Sequence, residues 1–147
     1  MSLAQSCIVF DTSTLIGCCI TQHGPPAKAL AKALRSRVLV MSSETLAELS
    51  VVVRRDKFDA WRPLAHRLAF LNGLVAAVRM VPVSIRVNDC RDAKDNKFLE
   101  LALTAKAGTL VSSDADLLVL HPFQGIDIQT PAQFLLAGDA PPMSAPP

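Results

Sequence analysis

The chain has 147 residues, of which half are hydrophobic and 19% are charged. This composition predicts one globular domain and excludes a disordered chain, because it supplies enough apolar surface for a core. The net charge of +2 argues only weakly for a polyanionic partner. The four cysteines, including the adjacent Cys18 and Cys19, lack zinc-site spacing and favour a reducing compartment. There is no signal-peptide charge pattern, and the apolar run over 7–20 is too short to cross a bilayer, so we expect a soluble, cytoplasmic protein with no membrane partner.

Short apolar runs alternate with helical patterns along the chain. The predicted strands cover residues 7–10, 37–41, 80–83, 109–111 and 126–129. Predicted helices cover residues 27–35, a segment capped by Ser42 or Ser43, residues 61–78, a segment from about Asp95 to Gly108, and residues 131–136. This alternation predicts an α/β fold with a parallel sheet of four to five strands flanked by helices. We expect the domain to occupy residues 1–137 and the Pro-rich residues 138–147 to be a disordered tail.

The first predicted strand ends in a polar segment, Asp11-Thr-Ser-Thr. Open α/β sheets bind their ligands at the carboxyl ends of the strands, which makes Asp11 a candidate functional residue. An aspartate at this place is also an ordinary turn residue or helix N-cap. The segment by itself leaves both interpretations open.

The helix after the second strand carries acids in its middle and basic residues at its end. Glu44 and Glu48 are four residues apart and share a half-apolar face, which suits either a cleft or a solvated surface. A basic cluster follows at Arg54, Arg55 and Lys57. Cations at a helix carboxyl end also complement the helix dipole, so this cluster does not by itself indicate a ligand.

The stretch from Asp92 to Leu118 reads as an acid pair, a helix, a glycine, a short buried strand and a second acid pair. Asp95 falls in the first turn of the helix, and Asp114 follows the strand at its carboxyl end. Together with Asp11 and Glu48 they predict four carboxylates at one edge of the sheet, which would repel one another and raise one another's pKa values. A set of oxygen ligands without His or Cys favours Mg²⁺ or Mn²⁺. Such a site can activate water and stabilise charge on a phosphate.

Four segments in this order resemble the motifs of PIN-domain ribonucleases, and the chain is similar to the VapC-like toxins of toxin–antitoxin systems. The segments are Val9-Phe-Asp-Thr-Ser-Thr-Leu15, Ser43-Glu-Thr-Leu-Ala-Glu-Leu49 with Arg55-Asp-Lys-Phe58, Asp92-Ala-Lys-Asp-Asn-Lys-Phe-Leu-Glu-Leu-Ala102, and Leu110-Val-Ser-Ser-Asp-Ala-Asp-Leu-Leu118. Thr130-Pro-Ala-Gln-Phe-Leu135 matches the usual last helix of the family. The resemblance covers roughly residues 7–137 and implies a three-layer PIN-like fold.

The resemblance implies a metal-dependent endoribonuclease that cleaves RNA phosphodiester bonds. It implies that the catalytic residues and metal ligands are Asp11, Glu48, Asp95 and Asp114, with Asp116 as an auxiliary acid. Asp92 then either supports the metal ligands without touching the metal or caps the helix. Ser13 stands where the family commonly has Asn, Ser112-Ser113 replaces Thr-Gly, and Lys94 interrupts an Asp-Pro-Asp-Asp pattern.

Outside the four acids, basic residues clearly outnumber acidic ones, which suits RNA as a partner. Candidate RNA contacts are Ser13, Arg54, Arg55, Lys57 and Lys94. The resemblance also implies a cognate antitoxin and a homodimer. Two alternatives are a weak or inactive PIN module that binds RNA or protein, and a Rossmann-like phosphatase with Asp11 as nucleophile. The second Asp that many such phosphatases carry two residues later is Ser13 here, which disfavours the phosphatase.

Overall fold

Five parallel strands form the sheet of this protein, in the spatial order β3-β2-β1-β4-β5. The structure is a computed structural model that describes residues 6–137, so the predicted tail lies outside the described residues. The strands are β1 (Cys7–Phe10), β2 (Val38–Met41), β3 (Arg79–Met80), β4 (Thr109–Val111) and β5 (Asp127–Gln129). All four pairings between neighbouring strands are parallel. The predicted α/β class and parallel sheet are therefore confirmed, with β1 at the centre.

The helices connect consecutive strands and cover the sheet. They are α1 (Thr12–Ile20), α2 (Pro25–Ser36), α3 (Ser43–Val52), α4 (Leu64–Ala77), α5 (Asn96–Ala105), α6 (Ala115–Leu118) and α7 (Pro131–Leu136). Short 3₁₀ turns at Asp56–Phe58 and Ala93–Asp95 precede α4 and α5. No helix in the described part of the chain is long and apolar enough to cross a membrane.

The two faces of the sheet carry separate cores, which gives three layers. On β1, Ile8 and Phe10 point to a core shared with α1, α2, α3, α4 and α7. Cys7 and Val9, at the alternating positions, point to a core shared mainly with α5 and α6. Because both faces of the strand are buried, its sequence is a continuous apolar run, as is usual for a central parallel strand.

Several boundaries differ from those predicted. The residues after Asp11 form the helix α1 and not only a polar turn. The helix α2 begins at Pro25, because proline at the first helical positions loses no hydrogen bond. The third strand is only Arg79–Met80 and ends before Pro82. The helix α5 ends at Ala105 and not near Gly108 as predicted. The residue that follows it, Lys106, has a left-handed backbone conformation with φ of 55°.

The largest departure from the sequence pattern is Arg67 on α4, which the helical period places on the polar side. Its side chain is only 1% exposed. The guanidinium donates to the carbonyl oxygens of Val53 (2.6 Å), Arg62 (3.0 Å) and Arg55 (3.2 Å), and it contacts the Asp59 carboxylate. Arg67 therefore holds the irregular segment between α3 and α4 on the body of the protein.

We expect Arg67→Met to lower the free energy of unfolding by about 2–4 kcal/mol, because three carbonyl acceptors would lose their donor. Urea unfolding measures this change. His66→Ala is the matched control, since His66 is the exposed neighbour on the same helix and should change stability by less than about 0.5 kcal/mol. Equal effects of both substitutions would contradict this role for Arg67.

Candidate metal centre

Asp11 is the most deeply placed acid of the site, at the carboxyl end of the central strand. It is 3% exposed and is the N-cap of α1. One carboxylate oxygen accepts from the backbone N–H of Thr14 at 3.0 Å, and the other accepts from the Ser112 hydroxyl at 2.5 Å. Burial raises the pKa of Asp11 in spite of these hydrogen bonds. The N-cap interpretation is confirmed, because Asp11 caps α1. Asp11 also lies near the charge of Asp114, so it stays a candidate functional residue.

Ser112 connects Asp11 to the acid that follows the neighbouring strand. It is fully buried directly after β4, and its Oγ accepts from the backbone N–H of Asp114 at 2.9 Å. The carboxylate of Asp114 in turn accepts from the backbone N–H of Asp116 at 2.9 Å. Parallel β1 and β4 thus deliver two acids to one edge, and one hydroxyl fixes their spacing.

Asp95 completes a cluster with Asp11 and Asp114. It is 8% exposed and ends the 3₁₀ turn that leads into α5. Burial, a hydrogen bond with Asp114 and the charges of Asp92, Asp114 and Asp11 raise the pKa of Asp95 to about 7. A carboxyl group with this pKa keeps its proton because a second negative charge beside Asp114 is unfavourable.

Glu48 reaches the site from α3. Its Oε1 accepts from the hydroxyl of Thr12, the residue after Asp11, at 2.5 Å. Its Oε2 lies 3.3 Å from Nζ of Lys97, the second residue after Asp95. Glu44, one turn earlier, instead pairs with Arg86 at 3.0 Å. Of the two acids on the predicted face, only Glu48 therefore joins the elements that carry the other acids.

The remaining predicted residues have more peripheral places. Ser13 is exposed and donates to Asp11 over 3.4 Å. Asp92 caps the 3₁₀ turn, and its carboxylate lies 3.0 Å from Nζ of Lys94. Asp116 supports Asp114 through its backbone N–H, as described above.

The basic cluster lies beyond α3 and not among the acids. Arg54 donates to the carbonyl of Ser50 at 2.5 Å, and Nζ of Lys57 lies 5.2 Å from the centre of the Phe58 ring. Arg54, Arg55 and Lys57 are all exposed. The structure thus leaves these three cations available at the surface, but it does not bring them to the carboxylates.

Three side chains that shape the site were not singled out by the sequence. Thr12 and Ser112 lie next to Asp11 and two residues before Asp114, so their positions in the motifs were a usable signal. Lys97 belongs to the third motif, Asp92-Ala-Lys-Asp-Asn-Lys-Phe-Leu-Glu-Leu-Ala102, as one polar residue among several. Its contact with Glu48 joins residues far apart in the chain, and no local pattern predicts such a contact.

The residues present fit a hard divalent cation in their chemistry. All candidate ligands are oxygens, and a cation could balance the negative charges that lie around Asp95 and Asp114. Within residues 6–137, no three His, Cys, Asp or Glu side chains are grouped closely enough to form a ready ligand set. Asp11, Asp95 and Asp114, with Glu48 from the facing helix, are the residues that would hold a cation, and their side chains would have to adjust around it.

Comparison with known proteins decides the family. The family model described as PIN domain matches residues 7–116. The chain belongs to the PIN domain family. The PIN family consists in general of nucleases, which typically use divalent metal ions. The matched segment contains every acid of the cluster described above.

Three other proteins show how far the likeness extends. An uncharacterized protein of Methanocaldococcus jannaschii, MJ1680, is 27% identical over 116 residues, which is 78% of this chain and 74% of the relative. The structure of VapBC2 from Rickettsia felis, bound to a DNA fragment from their promoter, has a TM-score of 0.57 at 14% identity, covering 84% of this chain and 98% of that one. The structure of PAE2754 from Pyrobaculum aerophilum has a TM-score of 0.59 at 13% identity, covering 90% and 89%. At these identities the two structures establish the fold alone.

The raised pKa of Asp95 predicts a pH dependence of the metal-free protein. Since the folded state holds the Asp95 proton up to about pH 7 and the ordinary pKa is 3.8, stability gained from this proton is present at low pH and is lost as the pH rises between these values. Asp95→Asn should remove that loss. In EDTA the variant should melt at or above the wild-type temperature near neutral pH, with a flatter pH profile.

Thermal melts in EDTA from about pH 4 to about pH 8 provide the measurement. Asp127→Asn is the matched control, because Asp127 is exposed at the first residue of β5, whereas the acids lie at the carboxyl edge of the sheet. On addition of Mn²⁺, Asp95→Asn should gain less stability than the wild type, since a ligand that binds the folded state more weakly stabilises it less. A lower melting temperature in EDTA with an unchanged pH profile would show that Asp95 serves only the start of the helix.

Proposed function

We propose that this protein is a metal-dependent endoribonuclease that cleaves RNA phosphodiester bonds with Mg²⁺ or Mn²⁺. The proposal rests on the carboxylates of Asp11, Asp95 and Asp114, which converge at the carboxyl edge of the sheet. Three elements bring them to this edge, where burial and the neighbouring acids raise the pKa of Asp95. Family membership supports the same class of chemistry.

The bound cation would supply charge neutralisation at the phosphate and a more acidic water. Asp11, Glu48, Asp95 and Asp114 would hold it. Ser112 would keep Asp11 and Asp114 at a fixed separation through its two hydrogen bonds. Thr12 would hold Glu48 in place on the facing helix.

The hydrogen bonds around Asp11 disfavour the phosphatase alternative. A nucleophilic carboxylate needs an oxygen that can reach the phosphorus, and both oxygens of Asp11 already accept short hydrogen bonds at 3% exposure. The cleavage experiment described below tests the alternative of an inactive PIN module. It would apply if the protein bound RNA and Mn²⁺ without cleaving.

We further propose that the protein is the toxin of a toxin–antitoxin pair, with a cognate antitoxin as its protein partner. The fold similarity to the VapBC2 structure supports this role. A homodimer stays a prediction from the resemblance.

The cleavage prediction uses Asp114→Asn. The wild type should cleave single-stranded RNA with Mg²⁺ or Mn²⁺ and not in EDTA, and Asp114→Asn should reduce cleavage ~100-fold or more because it removes one of the acids that hold the cation. Asp127→Asn is again the control and should cleave like the wild type. Induced expression in a bacterial host should slow growth for the wild type and not for Asp114→Asn.

Cleavage assays on purified protein with a metal-free RNA substrate measure this directly. Full activity in EDTA after purification to constant specific activity would rule out the mechanism. RNA cleavage without any effect on growth would retain the enzyme and remove the toxin role.

The basic cluster gives a prediction about affinity. Arg54→Ala combined with Arg55→Ala should weaken RNA binding equally for all sequences, because such cations contact phosphates and do not read bases. The salt dependence of binding should also become shallower, by about 0.7 per lost contact in the log–log slope.

Filter binding at several salt concentrations tests this with the variants Lys28→Ala and Arg35→Ala together as control. Lys28 and Arg35 are exposed on α2, so the control removes the same charge from another surface. A changed cleavage-site preference at unchanged affinity would contradict the phosphate-contact role.

A further inference from the structure

Lys97 is a largely covered lysine whose ammonium group lies against an acid of the site. Its Nζ is 3.3 Å from Oε2 of Glu48 and also donates to the carbonyl oxygen of Lys94. The Lys97 side chain is 14% exposed and that of Glu48 is 23% exposed. At this degree of burial the pair is screened less by solvent than an ordinary surface salt bridge.

Both oxygens of Glu48 are already engaged. Oε1 accepts from Thr12 at 2.5 Å, and Oε2 pairs with Lys97. A divalent cation that used Glu48 would have to replace one of these partners. The Thr12 hydroxyl is neutral and belongs to the first turn of α1, whereas the Lys97 ammonium would be repelled by the arriving cation.

Lys97 has space on its other side. A cleft of about 430 Å³ lies between α3, the segment before Cys90 and the start of α5, and Lys97 is one of its lining residues. Arg86 and Lys94 line the same cleft. Arg86 is held there by Glu44 and Glu100, at 3.0 and 2.9 Å, and Lys94 by Asp92. The side chain can therefore leave Glu48 without entering the apolar core.

We propose that Lys97 is a positioning residue that pairs with Glu48 as an internal counter-ion in the metal-free protein and is displaced toward the cleft when the divalent cation binds. This inference rests on the proposed function for the existence of the cation site. It adds that the protein's own ammonium group competes with the metal for one carboxylate. Metal affinity is then set by the cost of breaking the Lys97–Glu48 pair as well as by the acids.

The test is the affinity for Mn²⁺, measured by titration calorimetry without RNA. Lys97→Met keeps the length of the side chain and removes its charge, so it should tighten Mn²⁺ binding roughly tenfold. Lys97→Arg keeps the charge and should stay within about threefold of the wild type. In EDTA, Lys97→Met should melt at a lower temperature, because Glu48 loses its counter-ion.

Two controls separate a contact with Glu48 from a general change of charge. Lys94→Met removes the same charge three residues away, from a lysine that pairs with Asp92, and should change Mn²⁺ affinity by less than about threefold. In a Glu48→Gln background, Lys97→Met should have less than about a twofold effect, because the pair no longer exists. Lys97→Gln provides the same comparison if the methionine variant does not fold.

Unchanged or weaker Mn²⁺ binding by Lys97→Met would overturn the inference, as would an equal gain in the Glu48→Gln background. A wild type that binds no Mn²⁺ would also overturn it. The proposed function is judged separately by RNA cleavage. If the wild type cleaves RNA only with Mn²⁺ and Lys97→Met leaves the affinity unchanged, the inference fails and the nuclease stands. If the affinities shift as expected and RNA is not cleaved, the nuclease fails and the inference stands.

Discussion

The burial of Asp11 at the end of the central strand is the constraint on which the site depends. A buried carboxylate is costly unless hydrogen-bond donors replace its water. The chain supplies those donors from the first turn of α1 and from Ser112 after β4. Ser112 also fixes Asp114, because the Ser112 Oγ accepts from the backbone N–H of Asp114. Solvating one acid thus sets the position of the next.

The same constraint produces an electrostatic conflict that the metal-free protein answers in two ways. Burial and the neighbouring Asp114 raise the pKa of Asp95, so that a proton relieves the conflict there below neutral pH. At Glu48 a positive side chain, Lys97, provides relief instead. Both arrangements leave a region of negative potential in which a cation could bind. The difference between them is that a proton responds to pH, whereas a lysine must move.

The helix α5 organises the wall of the site through one polar stripe. Asn96, Glu100 and Thr104 are spaced four residues apart, so they lie on one face of the helix. Asn96 accepts from the backbone N–H of Cys90, Glu100 from that of Val87, and Thr104 from those of Ser84 and Ile85. Residues 81–92, between β3 and the 3₁₀ turn, contain no helix or strand, and this stripe replaces the missing backbone partners. Consequently α5 holds both Lys97 and the outer side of the cleft.

The sequence by itself determined the class of fold and predicted the candidate acids. Alternating apolar runs and helical patterns are local signals, and they were enough for a parallel α/β sheet. Asp11 and Asp114 follow buried strands directly, so the rule that parallel strands end at one edge placed them together. Motif order supplied Glu48 and Asp95.

Tertiary structure decided which polar groups became buried and which acids acquired a partner. Arg67 fits a solvated helix face by its period, yet it is buried because carbonyl groups from a distant segment need donors there. Glu44 and Glu48 lie on the same predicted helix face. In the fold, Glu44 pairs with Arg86, whereas Glu48 is bound by Thr12 and Lys97. These pairings join residues 36 to 49 positions apart, and their energies depend on distance and burial after folding. Local periodicity contains neither quantity, which is why the sequence predicted the acids and only the fold determined their charge balance.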